Sequence, residues 1–355
     1  PNVQTVRSLP LWGSSEPSVH FRPDVPFAEI YTSRLQTTSD VVEQGFLPAF
    51  ERVLRVLVSP DRVIQEDGRA LYDLHKFFQS HDYKQAFKDR RTWDAFARIV
   101  LPAARARGNS PSLPDVAIGL RWLYHFLLPL NAPLPQTDLT HTTAAGMCGL
   151  SSIVAYWKYG TPMIVTDHGV YLRERYLAVS ETEMSFFQKW ILTRLSQYVS
   201  RLCYQTAAVV APVCNYNRRW EEQLGTNPSK IRTIYNGIST EDFVAHPKPD
   251  HVPDRPTVVA AAHIFPLKDI ETMIQSCAVA RKQVPNVQYR VYGSMDINPA
   301  YTTRCKDLIH TLGLNDHVLL GGFHDTPTRL YHEGDVSILS SVSEGFPYAA
   351  LEAMA

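Results

Sequence analysis

Cysteine is scarce and unpatterned. The chain has five, Cys148, Cys203, Cys214, Cys277 and Cys305, an odd number with wide spacing and no C-x-x-C pair. That argues against a disulfide framework or a zinc site and points to buried thiols in a reducing compartment. Charge of one sign is missing too. Lys plus Arg and Asp plus Glu are both 35, so the formal net charge is zero. There is no basic footprint for nucleic acid, and any anion must be held by a local site. No apolar run reaches the roughly 18 residues of a membrane span, and the best candidate, Val116 to Leu134, is interrupted by Arg121, His125 and Asn131. It reads as a core helix. Pro1 to Pro10 has neither an apolar signal core nor an initiating Met. Ala355 falls within the helical stretch AALEAMA with no stop signal, so both ends read as cut from something longer. No H-E-x-x-H, G-x-S-x-G, Walker loop or D-x-D pair occurs, which leaves a zinc protease, a serine hydrolase, a P-loop enzyme or a metal-dependent transferase without support.

What remains is an ordinary globular composition, 45% hydrophobic and 20% charged over 355 residues, which suits two domains. From Val41 to about Leu130 the apolar residues follow helical spacing, as at Phe46, Leu47, Phe50, Val53, Leu54 and Leu57. This predicts an all-helical insertion or subdomain. From Asp138 short β-type runs alternate with helical sequence: Leu139 to Thr143, Met163 to Thr166, Ala207 to Pro212 and Ile231 to Tyr235. A Pro-rich stretch, 246–256, reads as a linker. The alternation then restarts, with strands expected at Thr257 to Ile264, Val287 to Gly293, His317 to Leu320 and Val336 to Ser340. Helices are expected at Asp269 to Gln283, Ala300 to Leu312, Pro327 to Glu333 and from about Pro347. Alternation of this kind implies parallel sheets covered by helices. The fold class is therefore α/β, with two Rossmann-like, doubly wound domains facing a cleft. An N-terminal domain spans 1–245 and contains the helical region, and an incomplete C-terminal domain spans 257–355.

In such sheets ligands bind beyond the carboxyl ends of the strands, so the residues after each run carry the chemical reading. The strongest constellation is Ser343-Glu344-Gly345-Phe346-Pro347-Tyr348-Ala349-Ala350-Leu351-Glu352, two carboxylates straddling a strand-to-helix turn. Gly345 permits close backbone approach, and Pro347 suits the first turn of a helix. Glu344 is placed to accept from sugar hydroxyls and Glu352 from a ribose diol. The bland alternative is an acidic helix start that only answers the macrodipole. Lys268, at the next junction, is placed to meet a diphosphate beside a helix N-terminus. Gly293 and Ser294 occupy another ligand position. His168, at the end of Met163 to Thr166, is placed to donate to a sugar or phosphate oxygen, the alternative being a core histidine.

At these residues the chain resembles glycosyltransferase family 4, the retaining transferases of GT-B fold, whose signature E-x7-E matches Glu344 to Glu352. THTTAAGMCGL, TDHGVYLRER, IYNGIS and FPLKDIETMI resemble the branch that includes the Pel exopolysaccharide glycosyltransferase. The resemblance runs from about Thr137 to Ala355. It implies that Glu344 and the backbone through Gly345, Phe346 and Pro347 hold the donor sugar, Glu352 the ribose and Lys268 the diphosphate, with His168 beside the transferred sugar. His263 stands where members usually carry an Arg, and is expected as a weaker, pH-dependent cation.

The implied reaction transfers a hexose or hexosamine from a UDP-sugar to a growing polysaccharide or other glycan acceptor, with no cofactor and no metal. The expected location is cytoplasmic. The resemblance leaves room for a membrane polysaccharide-synthase complex and a peripheral position at the inner face of the membrane. Two other readings stand beside it: a non-catalytic or partner-dependent GT-B subunit, and a GT-B epimerase or phosphorylase.

Overall fold

The computed structural model describes residues 35–59, 63–180, 182–243, 246–250, 252–324 and 326–355. The stretch Pro1 to Pro10 and linker residue His251 lie outside them. The chain divides between Ile234 and Tyr235 into two compact units.

The first unit begins with helices. A π-helical turn, Val42–Phe46, runs into α1 (Leu47–Leu57), followed by α2 (Gly68–Ser80), α3 (Tyr83–Lys88), α4 (Arg90–Arg105) and α5 (Leu113–Phe126). The three-to-four spacing of Phe46, Phe50, Val53, Leu54 and Leu57 places them on one face, and all are fully buried. The Phe46 and Phe50 rings stack at 4.9 Å, and Phe87 meets both edge-on at 5.4 and 5.6 Å, the geometry their quadrupoles favour. Ser112 and Asp115 form a capping box that starts α5. That helix ends at Phe126, short of Leu134, and among the described residues no helix is long and apolar enough to cross a membrane.

Three parallel strands follow: β1 (Thr140–Thr142), β2 (Met163–Asp167) and β3 (Val209–Pro212), in the order β1-β2-β3. The helices α6 (Leu150–Tyr159), α7 (Tyr171–Ser180) and α8 (Phe186–Thr206) connect them, and α9 (Asn215–Gln223) follows β3. One hydrophobic core runs from Phe46 and Phe78 through Ile153 to Val165, Leu202 and Val210, so the expected helical subdomain is one body with this sheet. Gly68 on α2 makes the join possible, since a Cβ there would lie 2.6 Å from Trp157 Nε1. The strand expected at Ile231 to Tyr235 does not form as such. Arg232 and Ile234 donate to the Val210 and Pro212 carbonyls at 2.9 Å, but only Ile231 makes a ladder bridge, to Val210.

The second unit is a purely parallel sheet: β4 (Thr257–Ala261), β5 (Gln288–Tyr292), β6 (Val318–Gly322) and β7 (Val336–Ser337). Its helices are α10 (Ile270–Ala280), α11 (Pro299–Thr311), α12 (Pro327–Leu330) and α13 (Tyr348–Met354). The order β6-β5-β4-β7 puts the last strand on the far side of the first. Winding therefore reverses at β4, and a crevice opens where β4 and β7 end. Two expectations are corrected. The strand at Val336 to Ser340 is only two residues long, because the chain beyond Ser337 leaves the ladder to reach the β4 loop. The helix at Pro327 to Glu333 is α-helical only to Leu330, then tightens into a 3-10 turn, Tyr331–Glu333.

At the end of β2 lies a buried carboxyl pair, Asp167 and Glu221, both fully buried. Asp167 accepts from the Ala145 N–H at 3.0 Å and from the Tyr204 hydroxyl, and its charge bears on the Glu221 carboxyl. With both ionised, neither Glu221 oxygen has a donor, so a proton on Glu221 relieves the pair. Burial first, and the Asp167 charge second, push Glu221 up to about 8, while burial pushes Asp167 up to about 6. Both hold protons more tightly folded than unfolded, so the unfolded chain releases them first as pH rises, and their contribution to stability falls. The loss begins near the ordinary values of 3.8 and 4.5 and runs on as pH rises through about 6 and 8. Urea unfolding at pH 5 and pH 8 should therefore show Glu221→Gln gaining on the wild type with rising pH, by at most about 1.4 kcal/mol per unit. Parallel stability curves would refute the proton on Glu221.

Candidate functional site

The reversal at β4 brings two loops together in the second unit. After β4 the chain stays beside the end of β5, as Ala262 N–H donates to Tyr292 at 2.8 Å and Ile264 N–H to Ser294 at 3.0 Å. It then turns through a 3-10 segment, Pro266–Lys268, and enters α10. After β7, Ser340 Oγ donates to the Lys268 carbonyl at 2.8 Å and Val342 N–H to the Leu267 carbonyl at 2.9 Å. These bonds fix the two loops against each other. Across them the Lys268 ammonium meets Glu344 Oε1 at 2.6 Å, with side chains 28% and 22% exposed. Partial solvation keeps the pair's net worth small, so an incoming anion can take Lys268 over at modest cost.

Beside the pair is a cavity of about 350 Å³ whose lining includes Ala262, His263, Lys268, Tyr292, Gly293, Glu344, Phe346, Pro347 and Glu352. Seven residues singled out in the sequence thus share one cavity: His263, Lys268, Gly293, Glu344, Phe346, Pro347 and Glu352. Gly345 and Ser294 do not line it. Gly293 is required by close approach, because a Cβ there would sit 2.3 Å from the Ala262 carbonyl oxygen.

Local geometry revises three sequence-level roles. Pro347 is the residue before α13, with φ −75° and ψ 116°, rather than part of its first turn. The N-terminus of α10 is already answered: Asp269, held at φ 48°, accepts from Thr272 N–H at 3.2 Å. A diphosphate at Lys268 would therefore meet the ammonium rather than an open helix end. His263 Nδ1 accepts from the Ser294 N–H at 2.9 Å, which leaves Nε2 as the ring's donor. The ring works as a neutral hydrogen-bond donor in this arrangement, not as the cation expected in place of Arg. Ser294 contributes through that contact.

Several lining residues were not singled out. Tyr292 stands at the end of β5 with its ring against Gly321, where a Cβ would come within 2.3 Å. Its hydroxyl donates to buried Glu333, which also takes Arg290 Nη1 at 2.6 Å. His324 meets the Tyr292 ring in an edge-on arrangement at 5.1 Å, and its Nε2 is 3.7 Å from Glu333 Oε1. A charged Arg290 inside the apolar run 287–293 was the available signal, since a buried cation needs a partner. Tyr331 donates to Glu352 Oε2 at 2.8 Å. Asn236 Nδ2 reaches the Phe346 carbonyl at 3.5 Å, beside Tyr235, whose ring is 5.5 Å from that of Phe346.

His168 belongs to the first unit. It is exposed on the turn after β2, next to buried Asp167. The following Gly169 is packed against Glu174, whose Oε1 would lie 2.0 Å from a Cβ.

Residues 1–229 match the family model described as Domain of unknown function (DUF3492), and residues 242–355 match the model Glycosyl transferases group 1. No curated protein matches the chain. Among solved structures it is similar to the sucrose-phosphate synthase (tll1590) from Thermosynechococcus elongatus. That likeness has 21% identity and TM-score 0.50, over 68% of this chain and 58% of that one. It is similar to Anabaena Alr3699/HepE in complex with UDP-glucose, at 19% identity and TM-score 0.48, over 61% and 57% of the two chains. A glycosyltransferase from Rickettsia africae ESF-5 gives 19%, 0.46, 69% and 62%. The chain spans 57 to 62% of the length of these structures. The synthase likeness shows the fold, α/β with parallel sheets of the GT-B type.

The Arg290 and Glu333 pair sets how rigid the Tyr292 wall is, with side chains only 10% and 5% exposed. Glu333→Leu leaves a buried guanidinium unpaired and should cost about 3–5 kcal/mol in urea unfolding. Arg290→Met together with Glu333→Leu should recover most of that loss. A double variant as unstable as the single one would show that the pair is not the source.

Proposed function

The chain belongs to the DUF3492 family, and we propose that it is a retaining glycosyltransferase, drawing a hexose or hexosamine from a UDP-sugar and passing it to a growing polysaccharide or other glycan. The observation that carries this reading is the convergence of Lys268, Glu344 and Glu352 on one cavity, within the segment that matches Glycosyl transferases group 1. In this reading Lys268 meets the diphosphate, Glu344 and the backbone through Gly345, Phe346 and Pro347 hold the sugar, and Glu352 takes the ribose diol. His263 donates from Nε2 to a phosphate oxygen.

The chemistry needs neither cofactor nor metal. The bond from the anomeric carbon to the diphosphate oxygen breaks, and the bond from that carbon to the acceptor oxygen forms on the same face. The acceptor hydroxyl proton passes to the departing diphosphate. Lys268 stabilises the charge that develops there, the kind of preorganised electrostatic effect that dominates many active sites. A family 4 affiliation in the Pel exopolysaccharide branch, a cytoplasmic location at the inner face of the membrane, and work within a membrane polysaccharide-synthase complex all fit this proposal.

Calorimetric titration of the full-length protein with UDP, GDP and UDP-sugars tests it. UDP should bind, and Lys268→Ala should weaken UDP about tenfold, equivalent to about 1.4 kcal/mol, while leaving uridine unaffected. Glu344→Gln should reduce transfer about 100-fold, the scale of losing one transition-state hydrogen bond. Unchanged transfer by Glu344→Gln from every UDP-sugar would sink the proposal.

A further inference from the structure

Glu352 projects from α13, a helix of seven residues, Tyr348–Met354. A glutamate on so short a helix has three rotatable bonds to order before it can present a fixed carboxylate, and losing that freedom opposes binding. The structure supplies a restraint. Tyr331 donates to Glu352 Oε2 at 2.8 Å, while among the described residues no hydrogen bond claims Oε1. Tyr331 is itself held, because it begins the 3-10 turn Tyr331–Glu333. The far end of that turn is locked by Arg290 at 2.6 Å and by the Tyr292 hydroxyl. Burial, and then the Glu352 carboxylate, push the Tyr331 hydroxyl well above its ordinary value, so it remains a donor throughout the working pH range.

We propose that Tyr331 is a positioning residue for nucleotide recognition: its hydroxyl holds one oxygen of Glu352 so that the other is presented, in a single orientation, to the vicinal diol of the nucleotide's ribose. The inference rests on the nucleotide-sugar reading of the cavity and adds a residue that touches no ligand itself. A short turn anchored to β5 through buried Glu333 thereby sets the geometry of a carboxylate from a different element, and preorganisation of this kind raises affinity by removing an ordering cost.

The test compares UDP with 2′,3′-dideoxy-UDP by calorimetry on the full-length protein. The wild type should favour UDP. Tyr331→Phe should weaken UDP about fivefold, in the range expected for one hydrogen bond, and leave the dideoxy compound unchanged, so that the preference shrinks. Glu352→Gln should reduce the preference likewise, and adding Tyr331→Phe to it should change little further, as expected for residues acting as a unit. Urea unfolding of Tyr331→Phe separates folding from recognition, since a merely structural role would weaken both ligands alike. Equal weakening, or a wild-type preference untouched by Tyr331→Phe, overturns the proposal alone. A wild type that binds both compounds equally overturns the ribose role of Glu352 and the proposal with it.

Discussion

The second unit is organised by a very short contact, the parallel pairing of β4 with β7, in which Val258 faces Val336 and Val259 faces Ser337. Two residues of ladder are little on their own. They hold because neighbouring bonds share the load: Asp335 accepts from Thr257 N–H at 2.7 Å, and Ile338 N–H donates to Val259 at 3.0 Å. Gly334 completes the approach, since a Cβ there would come within 2.6 Å of Val259 Cγ1. Placing β7 beside β4 rather than beside β6 makes the loops after 261 and 337 neighbours. The cavity and the juxtaposition of Lys268 with Glu344 follow from that choice.

Much of this was legible from residue order alone, for a definite reason. Lys268, Gly293 and Glu344 each sit just past a β-type run, and Glu352 follows Glu344 on the next helix; strand ends can be read from local alternation without knowing which strands pair. The parallel α/β class follows from the same alternation. Roles that depend on pairing across the sheet were not legible. Nothing local announces that Glu333 reaches Arg290 on β5, 43 residues away, or that Tyr331 reaches Glu352, 21 residues on. Ile231 to Tyr235 illustrates the opposite error. Its alternation is strand-like and it does run beside β3, but one bridge is too little ladder to make a strand. His263 looked cationic because only its type was visible; the Ser294 N–H that occupies Nδ1 comes from the next strand's end.

Charge in the two units is handled in contrasting ways. In the first, Asp167 and Glu221 are fully enclosed, and burial pushes both carboxyls toward the protonated form, which spares the cost of two buried charges. In the second, Arg290 and Glu333 are nearly enclosed and offset each other as an ion pair that also satisfies the Tyr292 hydroxyl. Lys268 and Glu344, at the cavity, keep appreciable contact with solvent while paired. Removing one partner is most costly where no water can replace it. The two enclosed clusters therefore suit scaffolding, and the half-open pair suits exchange.

That difference bears on how an anion would enter. Lys268 is held by Glu344 through its side chain and by Ser340 through its carbonyl, so the ammonium is already oriented when the cavity is empty. A diphosphate arriving there, as proposed above, would replace one carboxylate by a larger anionic charge. Glu344, released from the ammonium, would have Oε1 as well as Oε2 to offer hydroxyl groups. The ion pair and the ligand contacts are thus alternatives built from the same two side chains. The pair keeps both aimed into the cavity without committing them there, and so their positions, rather than the strength of their mutual attraction, are what the fold preserves.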